Sequence, residues 1–289
     1  MSNQSKPILL DGSMGQEIVN RGGKGAYGEW AVAALHENPQ LVKDIHTDYI
    51  HAGADVITTN TYSTTRTRLR HVGLESRFEE LVNVAGQLAV DAKKETGADH
   101  VKIAASLSPL EASYINEFQL SFDEMVTQYQ EIMRLLAPYV DIYLGETLST
   151  IIEARAFLTA AQSQDKPIWL SWTLQDHGTT TLRGSESLAQ AIADVTEFSV
   201  DALLVNCCTP DSIQAALPQL KSTGKPFGAY ANGFVEVPTT WVSDGDVDQI
   251  VTRADLSPDT YADQVTQWLD TGASIVGGCC DIGPQHIAK

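Results

Sequence analysis

Eight short apolar runs, spaced by longer amphipathic patterns over 289 residues, predict an α/β chain folded as a single-domain (β/α)8 TIM barrel spanning 1–289. Two further observations support that class. The runs are hydrophobic nearly throughout, as strands covered on both faces of a parallel sheet must be. Most of them also end in polar residues or cysteine, as expected where the carboxyl ends of barrel strands converge on one functional face. An open doubly wound sheet is the alternative, but no Gly-x-Gly-x-x-Gly turn follows the first run.

In chain order the expected strands are 7–12, 55–61, 101–108, 141–147, 167–173, 202–208, 226–233 and 274–280. Their ends carry Asp11-Gly12, Thr59-Asn60, Glu146-Thr147, Asn206-Cys207-Cys208, Asn232-Gly233 and Cys279-Cys280. Between them lie helix signals. Asn38-Pro39 is a cap followed by proline, with Gly53 as the stop. Ser121 and Glu124 have the spacing of a capping box. Behind them Met125, Tyr129, Ile132, Met133 and Leu136 recur at helical intervals until Pro138. Thr209-Pro210 and Ser257-Pro258 repeat the cap-then-proline start, and Gly272 closes the last long helix.

Composition narrows the partners. The formal charge of −18, with no basic cluster to offset it, argues against nucleic acid. No apolar run approaches the ~18 residues of a membrane helix, and the start reads as no secretory leader. The expected setting is a reducing cytoplasm, where four cysteines are thiols or metal ligands rather than disulfides.

The cysteines point to chemistry. Two close strand six, in "VNCC", and two close strand eight, in "GGCC". One cysteine from the former with both from the latter gives three thiolates on one face of the barrel. A separation of 279 − 207 = 72 residues matches no zinc finger or ribbon. Three protein ligands leave a fourth position on a tetrahedral zinc for water or substrate. Such a centre is electron-rich, so it suits holding a substrate thiol as a nucleophilic thiolate rather than polarising a carbonyl. Adjacent strand residues point to opposite faces, so the chain must leave extended geometry at Cys279-Cys280. Gly277, Gly278 and the Gly283-Pro284 turn are expected to supply that freedom. An amino-bearing thiol would also want carboxylates for its ammonium group, and Asp11 and Glu146 offer them.

With these residues in view, the chain resembles the homocysteine S-methyltransferase family over essentially its whole length. The matching pieces are "LLDGSMGQEI", "HAGADVITTNTY", "GETL", "LLVNCC", "YANGF" and "GGCC" followed by Gly283-Pro284. The resemblance implies one Zn2+ per chain held by Cys207, Cys279 and Cys280, which leaves Cys208 as a packing residue. It implies that homocysteine is gripped by Asp11, Gly12, Thr59 and Glu146. The implied reaction moves a methyl group from S-methylmethionine or S-adenosylmethionine to homocysteine, giving methionine. Betaine-using relatives are longer, and folate–cobalamin ones belong to multidomain chains. A different onium donor or a selenol acceptor are variants of the same chemistry. From another class, a barrel with a thiol cluster and no methyl transfer is the alternative. The implied partners are small-molecule substrates, with a monomer or homo-oligomer as the assembly. The chain departs from the family at Asp281-Ile282, in "SLSPLEASYINEF" (106–118) and in "YANGF", all on the face where the donor should bind. Tyr114, Tyr230, Phe234 and Trp172 are candidates to cage an onium methyl group. His46 and His51 read as surface residues.

Overall fold

The structure, a computed structural model, describes residues 6–23, 29–238 and 250–289; the opening residues 1–5, read above for a leader, lie outside these. Eight parallel strands form one sheet: β1 (Ile8–Leu9), β2 (Val56–Thr58), β3 (Lys102–Leu107), β4 (Ile142–Leu148), β5 (Ile168–Trp172), β6 (Ala202–Asn206), β7 (Phe227–Ala231) and β8 (Ile275–Gly278). Every strand from β2 to β7 pairs with its successor in sequence, and β8 returns to pair with β1. The remaining seam, β1 to β2, is closed by a parallel bridge between Leu10 and Val56. Two backbone bonds flank it, Asp55 N–H to Leu9 O at 2.7 Å and Asp11 N–H to Val56 O at 2.9 Å. The expected (β/α)8 barrel is therefore the fold, with all eight strands where the apolar runs lie. Seven of them are shorter than those runs, whose polar ends lie partly outside the sheet, whereas β4 carries Glu146 and Thr147 within the strand and ends at Leu148.

Side chains alternate across each strand. Leu10, Val56, Ala104, Leu144, Trp169, Leu204 and Ile275 fill the barrel interior. The opposite faces meet the helices in one continuous outer core. At the amino ends, Asp55, Asp141 and Asp201 accept the backbone N–H groups of Leu9, Ile103 and Ile168 at 2.7–3.0 Å. Each aspartate thus ties the strand it precedes to a neighbour, a stabilising device remote from the functional face.

The helices follow their start signals. A complete capping box opens the helix Phe122–Leu136. Ser257 caps Pro258–Thr271, and left-handed Gly272 ends it. Asn38 precedes Pro39–His51, but its side chain makes no capping bond. No described helix is long and apolar enough to cross a membrane.

One surface expectation fails. His51 is exposed, but His46 is fully buried. It belongs to the same stripe as Val42, Ile45, Tyr49 and Ile50, the residues Pro39–His51 turns into the core. Neither of its ring nitrogens has a partner, and burial lowers its pKa from 6.5 to about 4. His46 is therefore buried neutral. The unfolded chain takes up the proton first, so this contribution to stability is fully present above pH 6.5 and is lost as pH falls towards 4. Lowering the pH from 7.5 to 5 should cost about 2 kcal/mol through this residue. Buried carboxyls such as Glu146 and Glu153, with raised pKa values, gain stability over the same range, so the test is the difference between proteins. By urea titration at both pH values, the stability change of His46→Leu from pH 7.5 to 5 should be about 2 kcal/mol more favourable than that of wild type. An identical change in the two would disprove the assignment.

Candidate metal and active site

The carboxyl ends of the strands open onto a cavity of roughly 200 Å³. Asp11, Gly12, Thr59, Glu146, Cys207, Cys279 and Cys280 all line it. The seven residues singled out from sequence are thus neighbours in space.

The sulfur atoms of Cys207, Cys279 and Cys280 lie within 4.8 Å of one another. The Cys207–Cys280 Sγ separation is 3.6 Å. Bonds of about 2.3 Å to a tetrahedral ion would separate sulfurs by about 3.8 Å, so the spacing fits a metal. The acid–base chemistry fits too. Hydrogen bonds from the Cys279 and Cys280 thiols hold Cys207 well below the usual cysteine range. The bond to Cys207 then pushes the Cys279 thiol up, and the Cys280 thiol likewise. Three thiolates can share this space only if a cation joins them. Cys208, one residue on from Cys207, turns the other way into the outer core, where burial raises its pKa to about 12.

The backbone achieves this convergence differently from the sequence expectation. Gly277, Gly278 and Gly283 are not in the left-handed region; that conformation falls on Cys207, with φ of 52°, and on Asp281, with φ of 66°. Aspartate tolerates it better than most residues. The Ile282 N–H donates to Cys279 O at 3.1 Å, so Cys279 to Ile282 is a turn that presents both sulfurs to one side. Gly277 and Gly278 provide room instead: a Cβ at Gly278 would lie 2.2 Å from Ile282 Cγ2, and one at Gly277 2.4 Å from Leu10 Cβ. Gly12 is equally constrained, its Cβ position being 2.1 Å from Ile282 O. Asp281-Ile282 therefore has a structural reason to be present.

Asn206, immediately before Cys207, anchors the opposite side. Its amide donates to Thr147 Oγ1 at 2.8 Å and accepts from Thr147 N–H at 2.9 Å and from Ser171 Oγ at 2.6 Å. These bonds hold Thr147 at a φ of 61°, costly for a β-branched residue. Glu146 is thereby fixed at the cavity wall.

The Glu146 carboxylate accepts from Ser106 Oγ and from Tyr230 Oη at 3.1 Å. Burial raises its pKa to about 7 against those two bonds. Burial also raises the Asp11 pKa well above the usual range, with the Glu146 charge adding to it. Asp11 also ties the β1–β2 seam, accepting from Thr58 N–H at 2.7 Å and from the Thr58 hydroxyl. The Thr59 hydroxyl is shared with Thr61 at 2.8 Å and accepts the Ser106 N–H at 3.1 Å.

Of the aromatic candidates, Tyr114 and Tyr230 line the cavity, whereas Trp172 lies in the outer core and Phe234 packs behind Tyr114 and Cys280. Tyr114 Oη lies 3.2 Å from Cys207 Sγ, and the Arg183 guanidinium stands 4.8 Å from its ring centroid. Tyr62, Arg68 and Ser113 also line the cavity, and nothing in the local sequence pattern singles them out.

The chain is similar to known proteins over nearly its whole length. The model of the homocysteine S-methyltransferase family matches residues 8–289. The homocysteine S-methyltransferase of Escherichia coli K12 is 31% identical over 301 residues, covering 97% of this chain and 93% of that protein. The homocysteine S-methyltransferase YbgG of Bacillus subtilis is 27% identical over 300 residues, covering 98% and 92%. Among solved structures, the metallated form of the E. coli homocysteine methyltransferase MmuM superposes with a TM-score of 0.81 at 25% identity, covering 99% of this chain and 96% of that one. With its barrel, its cysteine cluster and its full-length match in agreement, the chain belongs to the homocysteine S-methyltransferase family.

Proposed function

We propose that the chain transfers a methyl group from S-methylmethionine, with S-adenosylmethionine as the second donor, to the thiol of L-homocysteine in a zinc-dependent reaction that yields methionine. The observation behind this reading is the cluster of three thiols beside two buried carboxylates in one cavity. Cys207, Cys279 and Cys280 would hold the zinc, which when bound supplies the charge that keeps the homocysteine sulfur deprotonated at neutral pH.

The chain's own residues do the rest. Glu146, held by Ser106 and Tyr230, takes the homocysteine ammonium group, and that cation draws the carboxyl back to its ionised form. Asp11, Gly12 and Thr59 complete the wall on that side, and the lack of a side chain at Gly12 lets the Ile282 carbonyl pack against it. With the amino acid fixed at one end and its sulfur at the other, the donor methyl lies in line with the nucleophile. A new sulfur–carbon bond forms from the homocysteine sulfur's electron pair. The donor's sulfur–methyl bond breaks with its pair staying on the donor sulfur, which leaves neutral. The thiol proton goes to solvent when homocysteine binds, so no general base is required. The whole chain serves as one homocysteine-binding domain, and its four free thiols suit a reducing cytoplasm.

Metal analysis with a methyl-donor panel tests this. One zinc per chain is expected, with methionine formed from homocysteine and S-methylmethionine. Cys207→Ala should lose both zinc and turnover. Cys208→Ala should keep both and lose only about 1–2 kcal/mol of stability. A Cys207→Ala protein that retains zinc and turnover would overturn the ligand assignment, and full zinc with no turnover on any donor would leave a non-catalytic barrel. Glu146→Gln should raise the homocysteine KM about ten- to a hundredfold at unchanged zinc content; steady-state kinetics decide, and an unaltered KM would remove Glu146 from the binding site.

A further inference from the structure

We infer that Arg68 is the carboxylate-recognising residue of the methyl-donor subsite, so that the donor is an onium compound bearing a carboxylate. The inference rests on the methyl-transfer reading above and specifies its donor side.

Arg68 stands apart from the other arginines. In a chain of net charge −18, every other arginine has a carboxylate oxygen within 3.8 Å. Arg68 has none among the described residues. Its neighbours in the helix Arg66–His71 show the contrast, since Arg66 pairs with Glu131 and Arg70 with Glu75. Yet Arg68 lines the cavity, half-buried. Its Nη2 donates to Ser113 Oγ at 3.1 Å and to Pro109 O at 3.5 Å. Nε is buried with no acceptor, and Nη1 makes no bond to the described protein. A buried Nε–H left without an acceptor is unfavourable on its own and favourable once a ligand oxygen arrives.

The group is also held in place before any ligand binds. Its Cζ stands 5.1 Å from the Tyr62 ring centroid, and Tyr62 Oη shares a 2.7 Å bond with Ser113 Oγ, which also receives the guanidinium. Planar recognition of a carboxylate from a fixed fork is what arginine does better than lysine.

Position assigns the ligand. Ser113 touches Arg68, and the next residue, Tyr114, touches Cys207 Sγ, so two consecutive residues bridge the cation and the reacting centre. Arg68 shares no hydrogen-bond partner with Asp11, which is bonded to Thr58, or with Glu146, which is bonded to Ser106 and Tyr230. The cavity therefore has an acidic end for the homocysteine ammonium group and a separate cationic end. A donor whose onium methyl lies at the sulfur cluster and whose carboxylate lies at Arg68 occupies the second end.

Calorimetry on the zinc-loaded protein without homocysteine tests this apart from turnover. S-methylmethionine should bind wild type at least tenfold more tightly than its carboxamide or trimethylsulfonium. Arg68→Gln should abolish that difference, and Arg68→Lys should restore part of it. Zinc content and thermal midpoint of both variants control for folding. In steady state, Arg68→Gln should raise the donor KM and leave the homocysteine KM where it was. Equal binding of acid and amide by wild type, or a rise in the homocysteine KM instead, would sink the inference. Selective binding without methyl transfer would sink the proposed reaction and leave the Arg68 assignment standing.

Discussion

Three sulfur atoms that would repel one another as thiolates must be brought together at the mouth of a barrel, and much of this structure answers that constraint. Strands of a parallel barrel diverge at their ends, so two of them have to be bent inward. The bends are at Cys207 and Asp281, non-glycine residues with positive φ, and each is braced. Asn206 locks β6 to the end of β4. On the other side, Ile282 inserts beneath the β8 turn, where its carbonyl accepts Ser13 N–H at 2.9 Å and Tyr49 Oη at 3.2 Å. Glycine at 12 and 278 is what lets that insertion happen.

The same bracing closes the barrel. β1 has only two residues, and its seam with β2 is a single bridge flanked by two backbone bonds. Asp11 adds a carboxylate across that seam to Thr58, and the Ile282 turn clamps the loop that follows β1. The cavity wall and the least-bonded join of the sheet are thus one piece of structure. A barrel conventionally separates stability at the amino ends of its strands from function at the carboxyl ends. Here Asp55, Asp141 and Asp201 obey that division, and Asp11 does not.

Legibility in the sequence follows what each residue's signal depends on. Strands, caps and the three cysteines are readable because they depend on local pattern and on one topological rule, that strand ends converge. His46 defies its residue type, although the stripe of Val42, Ile45 and Tyr49 places it on the buried face; periodicity outweighs histidine's usual exposure. Thr147 and Arg68 carry no local signal. A positive φ on threonine follows from bonds to Asn206, which is 59 residues away, and the lack of a carboxylate beside Arg68 is a fact about space. Phe234 and Trp172 depart from expectation for a related reason: position at a strand end does not decide which face a ring takes.

The glycines of "GGCC" show why residue type underdetermines role. Glycine can give a chain either conformational freedom or room, and sequence does not separate the two. At the end of β8 the pleat continues through both glycines, and the freedom is exercised three residues later by an aspartate. Replacing Gly278 would drive a methyl group into Ile282, whereas a β-branched residue at 281 would strain the turn through its positive φ. The two positions support the same pair of sulfurs through different physical terms, one steric and one torsional. Asp281 and Ile282 therefore belong together, and both belong to the geometry of the cysteine pair.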